Sequence, residues 1–135
     1  MFLNDSGSVI PGMSLYSRAS SGVPGTVDGL IRALEDYGSG KISLREVLNP
    51  AIHLAERGFI LSYFEANRLN AYKKFFERNK AASKIFIRND SKSWKKGQRF
   101  IQKDLAKTLK KIARYGRDGF YSCLLYTSPS PRDLS

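Results

Sequence analysis

Hydrophobic residues recur along this chain at helical and at extended spacings, and they divide it into short elements. Val27, Leu30, Ile31 and Leu34 fall three and four apart, the repeat of one helix face. Pro24 precedes them and fits a first helical turn, where its missing N–H leaves no bond unmade. Gly38, after Tyr37, suits a left-handed C-cap. A second helix is predicted from Ser43, with Leu44, Val47, Leu48, Ala51, Leu54 and Ala55 on one face. Ser43 and Glu46 have the capping-box spacing, in which each side chain satisfies a backbone N–H at the helix start. Pro50 lies inside this pattern and removes one backbone hydrogen bond, so a kink or a restart is expected. Gly58 closes the element. Ser62 and Glu65 repeat the box and open a third helix to about Arg78, whose Phe64, Leu69, Tyr72, Phe75 and Phe76 are read as core.

Extended pieces are shorter. Met1-Phe2-Leu3 and Ser8-Val9-Ile10 flank Asn4-Asp5-Ser6-Gly7, the signature of a hairpin turn. Leu15 to Ser20 is a further extended candidate. Lys84-Ile85-Phe86-Ile87-Arg88 is β-prone, a turn follows at Asn89-Asp90-Ser91, and Arg99-Phe100-Ile101 is a second extended piece. Asp104 to Ala113 is strongly amphipathic, with Leu105, Leu109, Ile112 and Ala113 together, and Gly116 ends it. The predicted class is α+β and mostly helical.

The 135 residues allow one domain, and no run of 18 apolar residues exists to span a membrane. Met1 to Asp5 lacks a charged n-region and a long apolar core, so it does not read as a secretory signal. The formal charge of +11 is concentrated between Lys73 and Arg117. Clustered basic residues suit nucleic acid or an anionic membrane surface. Here Lys73, Lys74, Arg78, Lys80 and Lys84 fall on several sides of their helix and turn. No RNP-like strand, zinc-ligand set or helix-turn-helix spacing accompanies them. Solvated helix faces are therefore preferred, with a small basic nucleic-acid-binding module as the alternative. A membrane-surface role for the Lys107 to Arg114 helix is a third reading.

Candidate chemistry is sparse. Cys123 is the one cysteine, so no internal disulfide forms. His53 is the one histidine and has no ligand partners at metal spacing, so neither metal nor cofactor is expected. Thr26, Thr108 and Ser62 are available hydroxyls, but each is explained by a helix start or a helix face. No residue is assigned a catalytic, substrate-binding or metal-binding role.

Ordered motifs carry more information than any single residue. Met1-Phe2-Leu3 with Asp5 and Gly7 comes first, then Gly22-Val23-Pro24-Gly25-Thr26-Val27 with Gly29. Pro50-Ala51-Ile52, Leu54-Ala55 and Gly58-Phe59 follow, and later Lys96-Gly97, Gln102 and Leu105-Ala106-Lys107-Thr108-Leu109. Ile112-Ala113, Gly116 and Phe120-Tyr121 complete the set. In this order and spacing the chain resembles the middle of the large subunit of the gamma-glutamyltranspeptidases, over residues 1 to about 121.

The resemblance implies an N-terminal-nucleophile hydrolase fold, an αββα sandwich, made as a precursor that cleaves itself into large and small subunits. It implies a gamma-glutamyltransferase and glutathione hydrolase. There, the N-terminal Thr of the small subunit passes the γ-glutamyl group of glutathione to water or to an amino acid or peptide. Its own α-amine serves as base, and backbone donors hold the oxyanion. That Thr is expected downstream of this segment, and the arginine that clamps the substrate upstream of it, so the chain alone is expected to be inactive scaffolding. The implied partners are the small-molecule substrate and the small subunit, with no nucleic acid. The implied location is periplasmic or extracellular, with the signal peptide expected upstream. The Gly22 to Gly29 turn is expected to lead a strand edge into a helix, its glycines permitting close packing.

The texture changes after Tyr121. Residues 123–135 have no amphipathic period and hold Pro129 and Pro131. They resemble a translated sequencing-library adapter and are expected to be a non-native, disordered tail, leaving 1–122 as the family segment. A segment separated from its packing partner is further expected to be marginally stable, with apolar faces left wet.

Overall fold

A computed structural model describes residues 2–17, 20–22, 24–90 and 92–122. The tail expected over 123–135, with Cys123, lies outside the described residues, as does Val23 of the glycine-rich turn. The predicted N-terminal hairpin is present as a bridge between Leu3 and Val9. Asn4 organises its turn, its Oδ1 accepting from the Ser6 hydroxyl at 2.7 Å and the Ser8 N–H at 2.8 Å. Leu15, expected to begin an extended segment, instead belongs to a single helical turn, α1 (Met13–Tyr16). Gly12, at φ 75°, supplies the left-handed residue that starts it.

Helix α2 spans Thr26–Tyr37 and buries Ile31. Leu30, expected on the buried face, is 67% exposed. Pro24 stands before the helix and Gly25 is its N-cap. Gly38 does cap the end, but at φ −66°, not the left-handed geometry expected, because the chain leaves extended. The close packing expected of the glycine turn is absent as well. A Cβ on Gly22, Gly25 or Gly29 would meet nothing within 4 Å.

Helix α3 (Leu44–Arg57) begins with both halves of the Ser43–Glu46 capping box. It runs unbroken through Pro50, which is exposed, so one lost backbone hydrogen bond is tolerated at the helix surface. Ile52 and Ala55 are its buried residues, while Val47 and Leu54 are about half exposed. Gly58 ends it at φ 76°, and a Cβ there would lie 2.6 Å from the Phe100 carbonyl oxygen. Only glycine fits between the helix end and the strand beside it.

Strand β1 (Phe59–Ile60) pairs antiparallel with β2 (Arg99–Phe100), Phe59 opposite Phe100 and Ile60 opposite Arg99. Between them come α4 (Tyr63–Ala71), α5 (Lys73–Phe76) and α6 (Lys80–Phe86). The predicted third helix is therefore two pieces, broken at Tyr72. Its Phe64, Tyr72 and Phe75 are largely exposed rather than core. The β-prone run at Lys84–Arg88 is mostly helix, because Asn79 Oδ1 accepts from the N–H groups of Ala81 and Ala82 and nucleates α6 upstream of it.

Helix α7 (Lys103–Tyr115) packs along α3 and buries Ala106 and Ile112. Gly116, at φ 57°, ends it and opens a 3₁₀ turn to Gly119. A second packed group sits around the strands. Leu61, Ala66 and Phe100 are buried, with Phe59, Leu69, Phe86 and Trp94 against them. Phe86 stacks between Phe76 at 4.7 Å and Phe100 at 6.1 Å, and Trp94 meets Phe100 edge-on at 5.4 Å. The described residues are thus mostly helical with one two-stranded ladder.

Candidate functional site

The hydroxyls singled out above do not converge on a reactive centre. Thr26 is exposed at the first position of α2, and Thr108 is half-buried on α7. Ser62 caps α4: its Oγ accepts the Glu65 N–H at 3.2 Å, and the Glu65 carboxylate accepts the Ser62 N–H at 2.7 Å. The Ser62 backbone N–H first, and the Ser62 hydroxyl second, hold the Glu65 carboxyl below the usual carboxylate range by bonding to it. Neither Thr26 nor Thr108 is hydrogen-bonded to an acid–base partner among the described residues, and the Ser62 hydroxyl is taken up by the Glu65 N–H and carboxylate at the cap.

His53 lies exposed on α3 and lines a groove between α3 and α7. Helical spacing explains the lining. Arg45, Asn49, Ile52, His53 and Glu56 recur along one side of α3, and Lys110, Ala113 and Arg114 face them from α7. The groove encloses about 740 Å³. Lys110 Nζ and Glu56 Oε1 form an ion pair across it. The hydrogen bond and charge of Lys110 lower the Glu56 pKa, with His53 and Arg57 adding smaller contributions. No group of three or more His, Cys, Asp or Glu suited to a metal occurs among the described residues.

The other side of the same helix pair is apolar. Ala51, Leu54, Ala55, Phe59, Phe100, Gln102, Leu105 and Leu109 line a hollow of about 220 Å³. Leu54 is 55% exposed and Leu105 44%. A third, open depression of about 610 Å³ lies beside Trp94, Arg88 and Asp90. There Arg88 holds Asp90 through two hydrogen bonds, at 2.9 and 2.7 Å, and covers the Trp94 ring at 5.6 Å. The Arg88 pairing lowers the Asp90 pKa to about 2.

The most extended long-range junction was not legible in the local sequence. Gly25 has no side chain to cap α2. The Tyr121 hydroxyl replaces it, accepting the Asp28 N–H at 3.2 Å while donating to the Pro24 carbonyl at 2.7 Å. Arg117 Nε pairs with Asp28 Oδ1 beside it. That oxygen is shielded from solvent and has no aligned hydrogen-bond donor among the described residues, so the contact is an ion pair only.

Among the described residues the arrangement is a set of helices with joints and grooves between them. The gamma-glutamyltranspeptidase family model matches residues 1–125, and the chain belongs to that family. It is 40% identical over 121 residues to the glutathione hydrolase proenzyme of Pseudomonas sp. strain A14, covering 90% of this chain and 21% of the relative. The glutathione hydrolase proenzyme of Escherichia coli K12 is 40% identical over 121 residues, again 90% of this chain and 20% of the relative. The crystal structure of Helicobacter pylori gamma-glutamyltranspeptidase superposes with a TM-score of 0.82 at 38% identity, covering 90% of this chain and 34% of that one. The Bacillus anthracis transpeptidase CapD matches with a TM-score of 0.66 at 37% identity, covering 78% and 36%. The chain thus spans about a fifth of the length of the curated relatives it matches. These relatives do not favour the nucleic-acid module, and no helix among the described residues is long and apolar enough to cross a membrane.

Proposed function

We propose that this chain is a scaffolding part of the large subunit of a gamma-glutamyltransferase and glutathione hydrolase. The parent transfers the γ-glutamyl group of glutathione to water or to an amino acid or peptide acceptor. Its nucleophile is the N-terminal Thr of a small subunit cut from the same precursor, which lies outside this chain. The single observation carrying the reading is the family match over residues 1–125. Sequence identity of 38–40% to proteins named glutathione hydrolase proenzymes supports the activity.

The candidate hydroxyls are compatible with a scaffolding role. Ser62 is committed to a cap, Thr26 and Thr108 have no acid–base partner, and no catalytic, substrate-binding or metal-binding residue is assigned within it. Its helices pack on one face of the αββα sandwich of the parent, and the apolar hollow beside Leu54 and Leu105 meets that sandwich. The parent is periplasmic or extracellular. The family match reaches residue 125, and the residues after it are a translated library adapter, beginning a little later than the sequence alone suggested.

The test is turnover of γ-glutamyl-p-nitroanilide. The 135-residue chain gives none. A longer polypeptide, with the upstream substrate-clamping segment and the downstream Thr-led subunit restored, cleaves itself and turns the substrate over. Turnover by the short chain, or an inert restored polypeptide, refutes the reading. Independent cloning of the gene tests the tail: codons for 126–135 continuing in the native gene would remove the adapter assignment.

A further inference from the structure

A basic groove between α3 and α7 runs beside the buried contacts of this helix pair, which come from Ile52, Ala55, Ala106 and Ile112. Its walls carry cations from both helices: Arg45 on one, Lys110 and Arg114 on the other. Glu56 is the one carboxylate lining it, and Lys110 already binds that carboxylate. Glu46, the other acidic residue in this part of α3, is turned to the cap, where its Oε2 accepts from the Ser43 N–H and hydroxyl. Arg45, in the first turn of α3, and Arg114, in the last turn of α7, are left without a carboxylate among the described residues. Arg114 lies over the ring of Tyr115 at 5.1 Å, which restrains its stem while leaving its donors available. The Asn49 amide, one turn after Arg45 on the α3 wall, adds a neutral donor.

We propose that this groove binds a small multivalent oxyanion, held between the guanidinium groups of Arg45 and Arg114 with Asn49 and the Lys110–Glu56 pair bounding it. Guanidinium forks match phosphate and carboxylate oxygens bidentately, and a groove with walls of one sign concentrates counter-ions of the other. A volume of about 740 Å³ admits a polyanion of several oxyanion groups, beyond a single chloride or sulfate.

Calorimetric titration with pyrophosphate and, separately, with citrate tests it, at fixed ionic strength with chloride as reference. Both the 135-residue chain and the longer polypeptide with restored flanks are titrated. Saturable one-to-one binding of either anion, to either polypeptide, is the expected result, and the preferred anion distinguishes a phosphate source from a carboxylate one. Arg45→Gln and Arg114→Gln each weaken it about tenfold, the loss of a charge-assisted hydrogen-bond pair. Arg45→Lys, which keeps the charge and loses the fork, also weakens it. Arg78→Gln and Lys84→Gln remove the same charge outside the groove and leave the affinity unchanged. Equal losses in all variants would mean net charge alone, and no saturable binding to either polypeptide would mean no site. Each of these outcomes overturns the proposal.

Discussion

Replacing Tyr121 by Phe removes one oxygen atom and, with it, the cap of a helix 93 residues away in sequence. The hydroxyl accepts the Asp28 N–H, at the third position of α2, and donates to the Pro24 carbonyl just before it. Gly25 offers no substitute. Loss of a helix N-cap costs about 1 kcal/mol, within a range of 0.5–2, and the second hydrogen bond is worth about 1 kcal/mol. Both amides can regain water near the surface, so about 1–2 kcal/mol is expected in total. The ring itself stays, with its edge-on contact to Phe120 at 5.1 Å, so apolar packing is unchanged. Helix α2 touches the rest of the described chain chiefly through the 3₁₀ turn after α7, so the loss is local. Native-state hydrogen exchange of the longer polypeptide with restored flanks reads it. Amides from Leu30 to Leu34 in Tyr121→Phe should exchange roughly 5–30-fold faster, while those of α4 are unaffected. Unchanged protection in α2 would refute the long-range cap, and an equal loss in α4 would refute its local character.

Three further outcomes are expected. Asp90 is held at about pKa 2, chiefly by its hydrogen bonds from Arg88, against an ordinary value of 3.8. A depressed carboxyl contributes fully above its unfolded pKa and loses its contribution as pH falls through the folded one. Trp94 emission, reporting the Arg88 stacked on its ring, should therefore hold down to about pH 4 and change towards pH 2. Asp90→Asn should abolish that acid step, and an identical titration in the variant would refute the assignment. Gly58→Ala should destabilise by roughly 2–4 kcal/mol from left-handed backbone and steric overlap with the β2 backbone. A chemical denaturation midpoint of the longer polypeptide with restored flanks, unchanged by that substitution, would show that the turn relaxes freely. Finally, the 135-residue chain should melt without a sharp cooperative transition and with weak near-UV dichroism. Eight hydrophobic residues, three of them alanines, are buried among the described residues, against seventeen large hydrophobics exposed. A steep, reversible melt would overturn that expectation.

Local signals in the sequence were reliable where the physics was local. Both capping boxes, the Asn4 turn, the Gly58 and Gly116 stops and the amphipathic α7 each depend on neighbours within about one helical turn. Pro50 misled only in degree, because an exposed helix side tolerates a lost hydrogen bond. Errors appeared where tertiary context decided. Lys84–Arg88 has strand-forming side chains, but the Asn79 cap upstream sets the segment helical. Arg99–Phe100 is extended as expected, yet its partner is Phe59–Ile60, about 40 residues away, which no periodicity reveals. The helix-spaced aromatics Phe64, Tyr72 and Phe75, expected in the core, lie at the surface. Helical spacing identifies a shared face but not which face is covered, and α4 and α5 turn Ala66, Leu69 and Phe76 inward instead. Of the groove, Arg45, Asn49 and Glu56 lie on a stripe legible in α3, but its facing wall on α7 required the fold.

Asn70 has a consequence for how this protein ages. Its side-chain amide faces the Trp94 backbone as a peptide group would, Oδ1 accepting the N–H at 2.8 Å and Nδ2 donating to the carbonyl at 2.9 Å. Spontaneous deamidation would exchange that donor for a second acceptor, setting a carboxylate oxygen against a carbonyl oxygen. One slow hydrolysis, changing the mass by about one dalton and breaking no chain bond, would then prise the tryptophan loop from α4.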